Sequence, residues 1–170
     1  MKKIVITLCM ALATLVAFAQ HDHPKQNTNK DVAKVEPAFQ DKELNAAYVN
    51  YIRLKDALVA SDLEKSKKAG MELQKSLTAV SNSKKASELT TILVASTDLA
   101  SQRKVFSSLS NEMSTLVKGS KLSAGSLYLD YCPMANNNEG AYWLSNEKEI
   151  RNPYFGDSML KCGSVKETIQ

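Results

Sequence analysis

The sequence predicts a mainly α fold: an up-and-down antiparallel helical bundle with a C-terminal irregular, partly β segment packed on it. Three observations carry this expectation. From Phe39 to Lys118 apolar residues recur at helical spacing. The breaks between these runs are short, which favours antiparallel neighbours. After Gly119 the period changes to alternation, and Asn, Gly and Pro accumulate.

The elements follow in order. Residues 1–19 read as a signal peptide. Lys2 and Lys3 form a positive start, Ile4 to Phe18 an apolar run, and Ala17-Phe18-Ala19 a small-residue cleavage site. The run is too short for a comfortable transmembrane span. Cys9 has only eight residues before it, too few for a lipoprotein leader. Residues 20–37 are polar and without apolar period, a disordered leader. One domain is then expected over residues 38–165, with helices about 38–118 and a Cys/Met segment at 126–165.

The first helix carries Phe39, Leu44, Tyr48, Tyr51, Ile52, Leu58 and Val59. Ser61-Asp62-Leu63-Glu64 has the form of a capping box and starts a second helix with Leu63, Leu73, Leu77 and Val80. Gly70 inside it costs roughly 1 kcal/mol against alanine. Either a close helix contact offsets that cost or the helix is locally weak. Ser81-Asn82-Ser83 breaks the chain before a third helix with Leu89, Ile92 and Leu93. Thr97 or Asp98 caps a fourth, ending at Gly119, unless the third and fourth join as one. Leu127–Tyr131 and Ala141–Leu144 read as two strands around the turn cluster Asn136–Gly140. Two strands alone are not stable in water, so Tyr142, Trp143, Tyr154 and Phe155 are expected to anchor the segment on the bundle.

Bulk properties narrow the function. Removing residues 1–19 takes the formal charge from +4 to +2. A balance so near neutrality argues against nucleic acid or an acidic membrane surface as partner. With the leader cleaved, no membrane insertion is expected, and the protein is read as exported, soluble and periplasmic. The only histidines, His21 and His23, lie in the polar leader. No Ser-His-Asp or Cys-His set and no phosphate-cradling glycine loop is available. The chain therefore reads as a non-enzyme.

The chemistry concentrates in "YCPMANNNEGAYWLSNEKEIRNPYFGDSMLKCG", Tyr131 to Gly163. Cys132 and Met134 stand two residues apart, Met159 and Cys162 three. Two thiolates and two thioethers make a soft ligand set that selects Cu(I) or Ag(I) over hard cations. The same two cysteines, in an oxidising compartment, can instead pair and staple a loop of about 30 residues. Met134 and Met159 are then ordinary packing residues. Both readings stand, since a reduced pair binds metal and an oxidised pair does not. His21-Asp22-His23 near the new N-terminus offers a possible secondary metal site, or a plain polar tail.

"YCPMANNNEGAYWLS", "EIRNPYFGDSML" and "KCG" resemble the signature of the DUF3347 domain, an exported bacterial domain without a defined function. The likeness extends more weakly over "LKDALVASDLEKSKKAG" and "QRKVFSSLSNEM". That domain also occurs attached to periplasmic adaptors of heavy-metal efflux pumps. Cys-Pro-Met is similar to the CPMHP opening of a small metal-binding domain in such adaptors. Here Ala135 and Asn136 stand where that motif has histidine and proline, which removes one ligand. The resemblance implies copper or silver handling, with Cys132, Met134, Met159 and Cys162 as ligands. It implies that Tyr131, Pro133, Trp143, Asn152, Pro153, Tyr154 and Gly156 shape the motif. Its implied partner is a heavy-metal efflux adaptor or other envelope protein. The other function class left open is a non-enzymatic interaction module with a disulfide-pinned C-terminal docking surface.

Overall fold

A computed structural model describes residues 35–170 of the 170-residue chain. The expected signal peptide, most of the expected leader, and His21 and His23 lie outside the described residues.

Four long helices form the first half: α1 Lys42–Val59, α2 Leu63–Leu77, α3 Lys84–Ala95 and α4 Leu99–Lys118. Three begin on an aspartate whose carboxylate accepts an N-terminal backbone N–H. Asp41 accepts from Leu44, Asp62 from Lys65 and Asp98 from Ser101. Each satisfies a donor that the first helical turn leaves unpaired. Binding these N–H groups lowers the Asp62 and Asp98 carboxyls below their usual range.

Two helix starts differ from the sequence expectation, and an alternative it left open is decided. Ser61 is not the cap of α2. It sits at φ 53, and Asp62 takes the capping role. Phe39 belongs not to the first helix but to a two-residue strand, β1 Ala38–Phe39, with Asp41 capping α1 behind it. The third and fourth helices are separate, because Ser96 turns to an extended conformation and Asp98 starts afresh.

Alternation of direction is legible in the contacts. Asn50 in mid-α1 donates to Ser76 late in α2, at 2.6 Å. Gln74 of α2 donates to Thr91 of α3, while Gly70 faces Leu93 and Val94 further along. Lys85 at the start of α3 pairs with Glu112 late in α4 at 2.6 Å. A Cβ on Gly70 would stand 2.8 Å from the Val94 side chain. The glycine is thus explained by close approach of α2 and α3.

The core is one continuous cluster. Leu44, Tyr51, Leu54, Leu58, Leu73 and Phe106 are among its fully buried members. Burial of each such side chain contributes about 1.5–3 kcal/mol. Tyr51 stacks on Phe106 with ring centroids 5.3 Å apart. Its hydroxyl meets Ser110 Oγ at 2.8 Å and accepts the Leu144 N–H at 3.1 Å. One phenol thereby fastens α1 to α4 and to the C-terminal sheet.

That sheet holds β3 Leu127–Cys132 in the centre, with β4 Ala141–Ser145 on one side and β5 Ser164–Ile169 on the other, all antiparallel. β2 Leu122–Ala124 pairs separately with β1. The sequence reading found the β3–β4 hairpin but not β5, whose strand runs past residue 165 to Ile169. The third strand answers the instability of an isolated hairpin. Among the described residues, no helix is long and apolar enough to cross a membrane.

Candidate metal centre

Cys132 ends β3, and Cys162 stands just before β5 on the other edge of the same strand pairing. Tyr131 pairs with Ser164, so the register carries the two cysteines to one end of the sheet. Their sulfurs lie 2.8 Å apart. A disulfide bond is about 2.05 Å; here the two residues are free thiols in near contact. Cys132 is fully buried and Cys162 half-buried. The hydrogen bond between the thiols, then burial, push the Cys162 thiol up from its ordinary value. Ionising it therefore requires a favourable counter-charge.

The connection between β3 and β4 is unusual. Asn136, Asn137 and Asn138 follow one another with φ of 52, 57 and 69, one turn of left-handed helix. Each such residue costs about 1 kcal/mol unless its side chain compensates, and asparagine tolerates the conformation best after glycine. Gly140 follows at φ 80, and a Cβ there would run into the Tyr131 hydroxyl. Tyr131 in turn packs on Tyr142, centroids 4.5 Å apart, beneath the Lys166 ammonium.

The segment between β4 and β5 is organised by Asn152, which is fully buried. Its side-chain amide donates to the Cys162 carbonyl at 2.7 Å, and its Oδ1 accepts the Tyr154 N–H at 2.8 Å. Its backbone N–H donates to the Leu160 carbonyl at 2.8 Å. Asn152 thus fixes the loop that carries Cys162. Tyr154 donates from its hydroxyl to the Tyr142 carbonyl and packs edge-on to the buried Trp143 at 5.9 Å. Burial holds the Tyr154 phenol well above its usual range.

Arg103 of α4 is the clamp that the sequence did not reveal. Its Nε donates to the Pro153 carbonyl at 2.9 Å, and its Nη2 to the Leu58 carbonyl at 3.1 Å and Ser61 Oγ at 2.8 Å. A single guanidinium so joins α4, the α1–α2 turn and the loop before the 3-10 turn Gly156–Met159. Gly156, at φ 57, is required there: a Cβ would strike Ser61 Oγ and stand 2.9 Å from the Val59 carbonyl. Burial lowers the Arg103 guanidinium from its usual value without discharging it.

The structure arranges the four sulfur residues as two separate pairs. The thiols are in contact. Met134 and Met159 both line a cleft of about 600 Å³ between α4, the left-handed turn and the 3-10 turn. Pro133 leads from Cys132 into that turn and is exposed, and Gly156 opens the 3-10 turn. No group of three or more His, Cys, Asp or Glu able to hold a metal occurs among the described residues. A hard-cation or His-based centre therefore has no support there, and any soft centre rests on the two thiols. Arg151 and Lys161, the basic residues flanking Asn152 and Cys162, stand in exposed ion pairs with Glu147 and Glu149.

A second buried polar group lies one register step along β3. Asp130 is opposite Trp143, and neither of its carboxylate oxygens has a hydrogen-bond partner among the described residues. Burial raises its carboxyl to about 7, with the nearby Lys55 charge pulling the other way. Lys55 is itself buried, its Nζ 2.8 Å from Asp56 Oδ1 and 3.8 Å from Glu147 Oε1.

Comparison with known proteins adds one finding. Residues 47–125 match the family model described as "Protein of unknown function (DUF3347)". The match runs over the four helices and β2 and stops before the Cys/Met segment. The likeness of residues 131–163 to that domain's signature thus falls outside the matched residues. No curated protein and no solved structure matches the chain. Over residues 47–125, in its helical part, the chain is similar to the DUF3347 family.

Proposed function

We propose that the protein binds a soft monovalent metal ion, Cu(I) or Ag(I), in the periplasm as a binding or delivery protein, not as an enzyme. The observation that supports this most is the 2.8 Å approach of the Cys132 and Cys162 sulfurs beside a cleft walled by Met134 and Met159. Thiolates and thioethers are poor ligands for Mg²⁺ or Ca²⁺ and good ones for Cu(I). Taking up an ion requires the sulfurs to separate and both thiols to lose their protons, so affinity falls with acid. Oxidation of the pair removes both thiolates and with them the site. The resemblance to domains attached to heavy-metal efflux adaptors supports such an adaptor, or another envelope protein, as partner.

A second reading is a non-enzymatic interaction module whose C-terminal segment is a docking surface pinned by the cysteines. The Arg103 and Asn152 networks favour it, because they fasten the segment to the bundle through the chain's own hydrogen bonds. Anaerobic Cu(I) titration of the reduced protein against a competing chelator decides between the two. The metal reading expects one ion per chain and loss of binding in the Cys132→Ser/Cys162→Ser double variant. Equal affinity in that variant places the ion elsewhere. No binding by the reduced wild type leaves the docking surface.

A further inference from the structure

The cleft beside the cysteines has a composition that the metal reading does not use. Two cations, Arg103 and Lys104, stand on its wall, and no carboxylate lines it. Arg103 spends Nε and Nη2 on its clamp, and its Nη1 makes no hydrogen bond among the described residues. Lys104 is exposed and has no ion pair among the described residues. The rest of the wall is apolar or aromatic at Met134, Met159, Tyr154 and Phe155. Asn136, Asn137 and Asn138 of the left-handed turn also line it. The acids near the cleft stand outside its lining. Glu139 lies outside the lining and accepts from Asn136 Nδ2, Asp98 is bound to Ser101 at the start of α4, and Asp157 is exposed on the 3-10 turn.

A concave wall of this size, apolar with a few convergent polar groups, suits a small molecule. Two cations on the wall, with no carboxylate among the lining residues, favour a negatively charged ligand. Thioethers and aromatic rings favour a flat, polarisable body against them. We propose that this cleft binds a small organic anion: a carboxylate or similar acid group directed to Lys104 and Arg103, with an apolar, preferably aromatic body against Met134, Met159 and Phe155. Adaptable methionines accommodate a range of bodies, while the fixed cations select the charge. The site does not depend on metal or on the cysteines' redox state.

The test uses the purified reduced protein, metal-free, carrying ¹³C-methyl methionine, with 2-naphthoate as probe and 2-naphthalenemethanol as its neutral counterpart. Expected are saturable shifts of the Met134 and Met159 methyl signals with naphthoate, at a dissociation constant on the order of 1 mM or tighter. Met71 and Met113 should stay still. The neutral compound and the Lys104→Glu variant should each bind roughly tenfold more weakly, and Lys104→Arg should retain binding. The proposal is overturned if no saturation is reached, if Met71 or Met113 shifts as much, or if removing charge from ligand or protein leaves affinity unchanged. Each readout is made without metal, so failure here leaves the copper titration to stand or fall alone.

Discussion

Oxidising the Cys132–Cys162 pair is the most direct perturbation of the candidate centre, and its size can be worked from the fold. The two residues are 30 positions apart in sequence. Closing a loop of that length removes chain entropy from the unfolded state worth about 3–4 kcal/mol at 25 °C. Strain usually erodes that figure in engineered bridges. Here the sulfurs already stand 2.8 Å apart, and Asn152 holds the Cys162 carbonyl, so the native state moves little on bonding. The oxidised protein should therefore gain most of the entropic amount, about 3 kcal/mol, over the reduced form. Urea denaturation of both forms at equal concentration measures it, with alkylation and mass measurement confirming the thiol state. The midpoint should rise, with a smaller slope because the cross-linked unfolded chain exposes less surface, and a Cys132→Ser/Cys162→Ser protein should be insensitive to oxidant. If oxidant yields the bonded form and the midpoint does not rise, the native placement of the two thiols is wrong. If oxidant leaves both thiols alkylatable, the 2.8 Å approach itself is refuted.

Three other outcomes follow from the same geometry. Asp130 has its carboxyl raised to about 7 in the fold against 3.8 when unfolded, so the folded protein holds a proton that the unfolded chain releases. Its stabilising contribution is full below pH 3.8 and is lost as pH rises through 7, by about 4 kcal/mol at most. Asp130→Asn should flatten that decline in a series of urea midpoints from pH 4 to 8, and an unchanged slope would show the carboxylate is not desolvated. Arg103→Ala removes three charge-assisted bonds and should cost about 3 kcal/mol in chemical denaturation, with Arg103→Lys recovering little, since an ammonium cannot span Pro153, Leu58 and Ser61. Gly140→Ala should destabilise by at least about 1 kcal/mol through its left-handed φ, and by more because its Cβ meets the Tyr131 ring. A thermal melt equal to wild type would refute the left-handed turn.

The mainly α first half was legible in the sequence because helix formation is local. Leu44, Tyr48, Tyr51 and Leu58 fall on one face by spacing alone, and Thr97 and Asp98 mark a candidate helix start, though whether helices three and four join was settled only by the backbone at Ser96. The switch near Gly119 and the β3–β4 hairpin were equally local, set by alternation and a run of turn residues. The residue types at the candidate centre, two cysteines and two methionines, were also in plain view. Their arrangement was not. The register Tyr131–Ser164 that brings the thiols together belongs to β5, a strand whose Ser164–Ile169 is mostly exposed and carries little apolar signal. The separation of thiols from thioethers, the latter lining a cationic cleft, depends on how α4 lies against the left-handed turn. Arg103 shows the limit most clearly. In sequence it is one more charge on an amphipathic helix. Only the folded chain, by setting three carbonyl and hydroxyl acceptors from separate segments within its reach, makes it the residue that holds the site to the bundle.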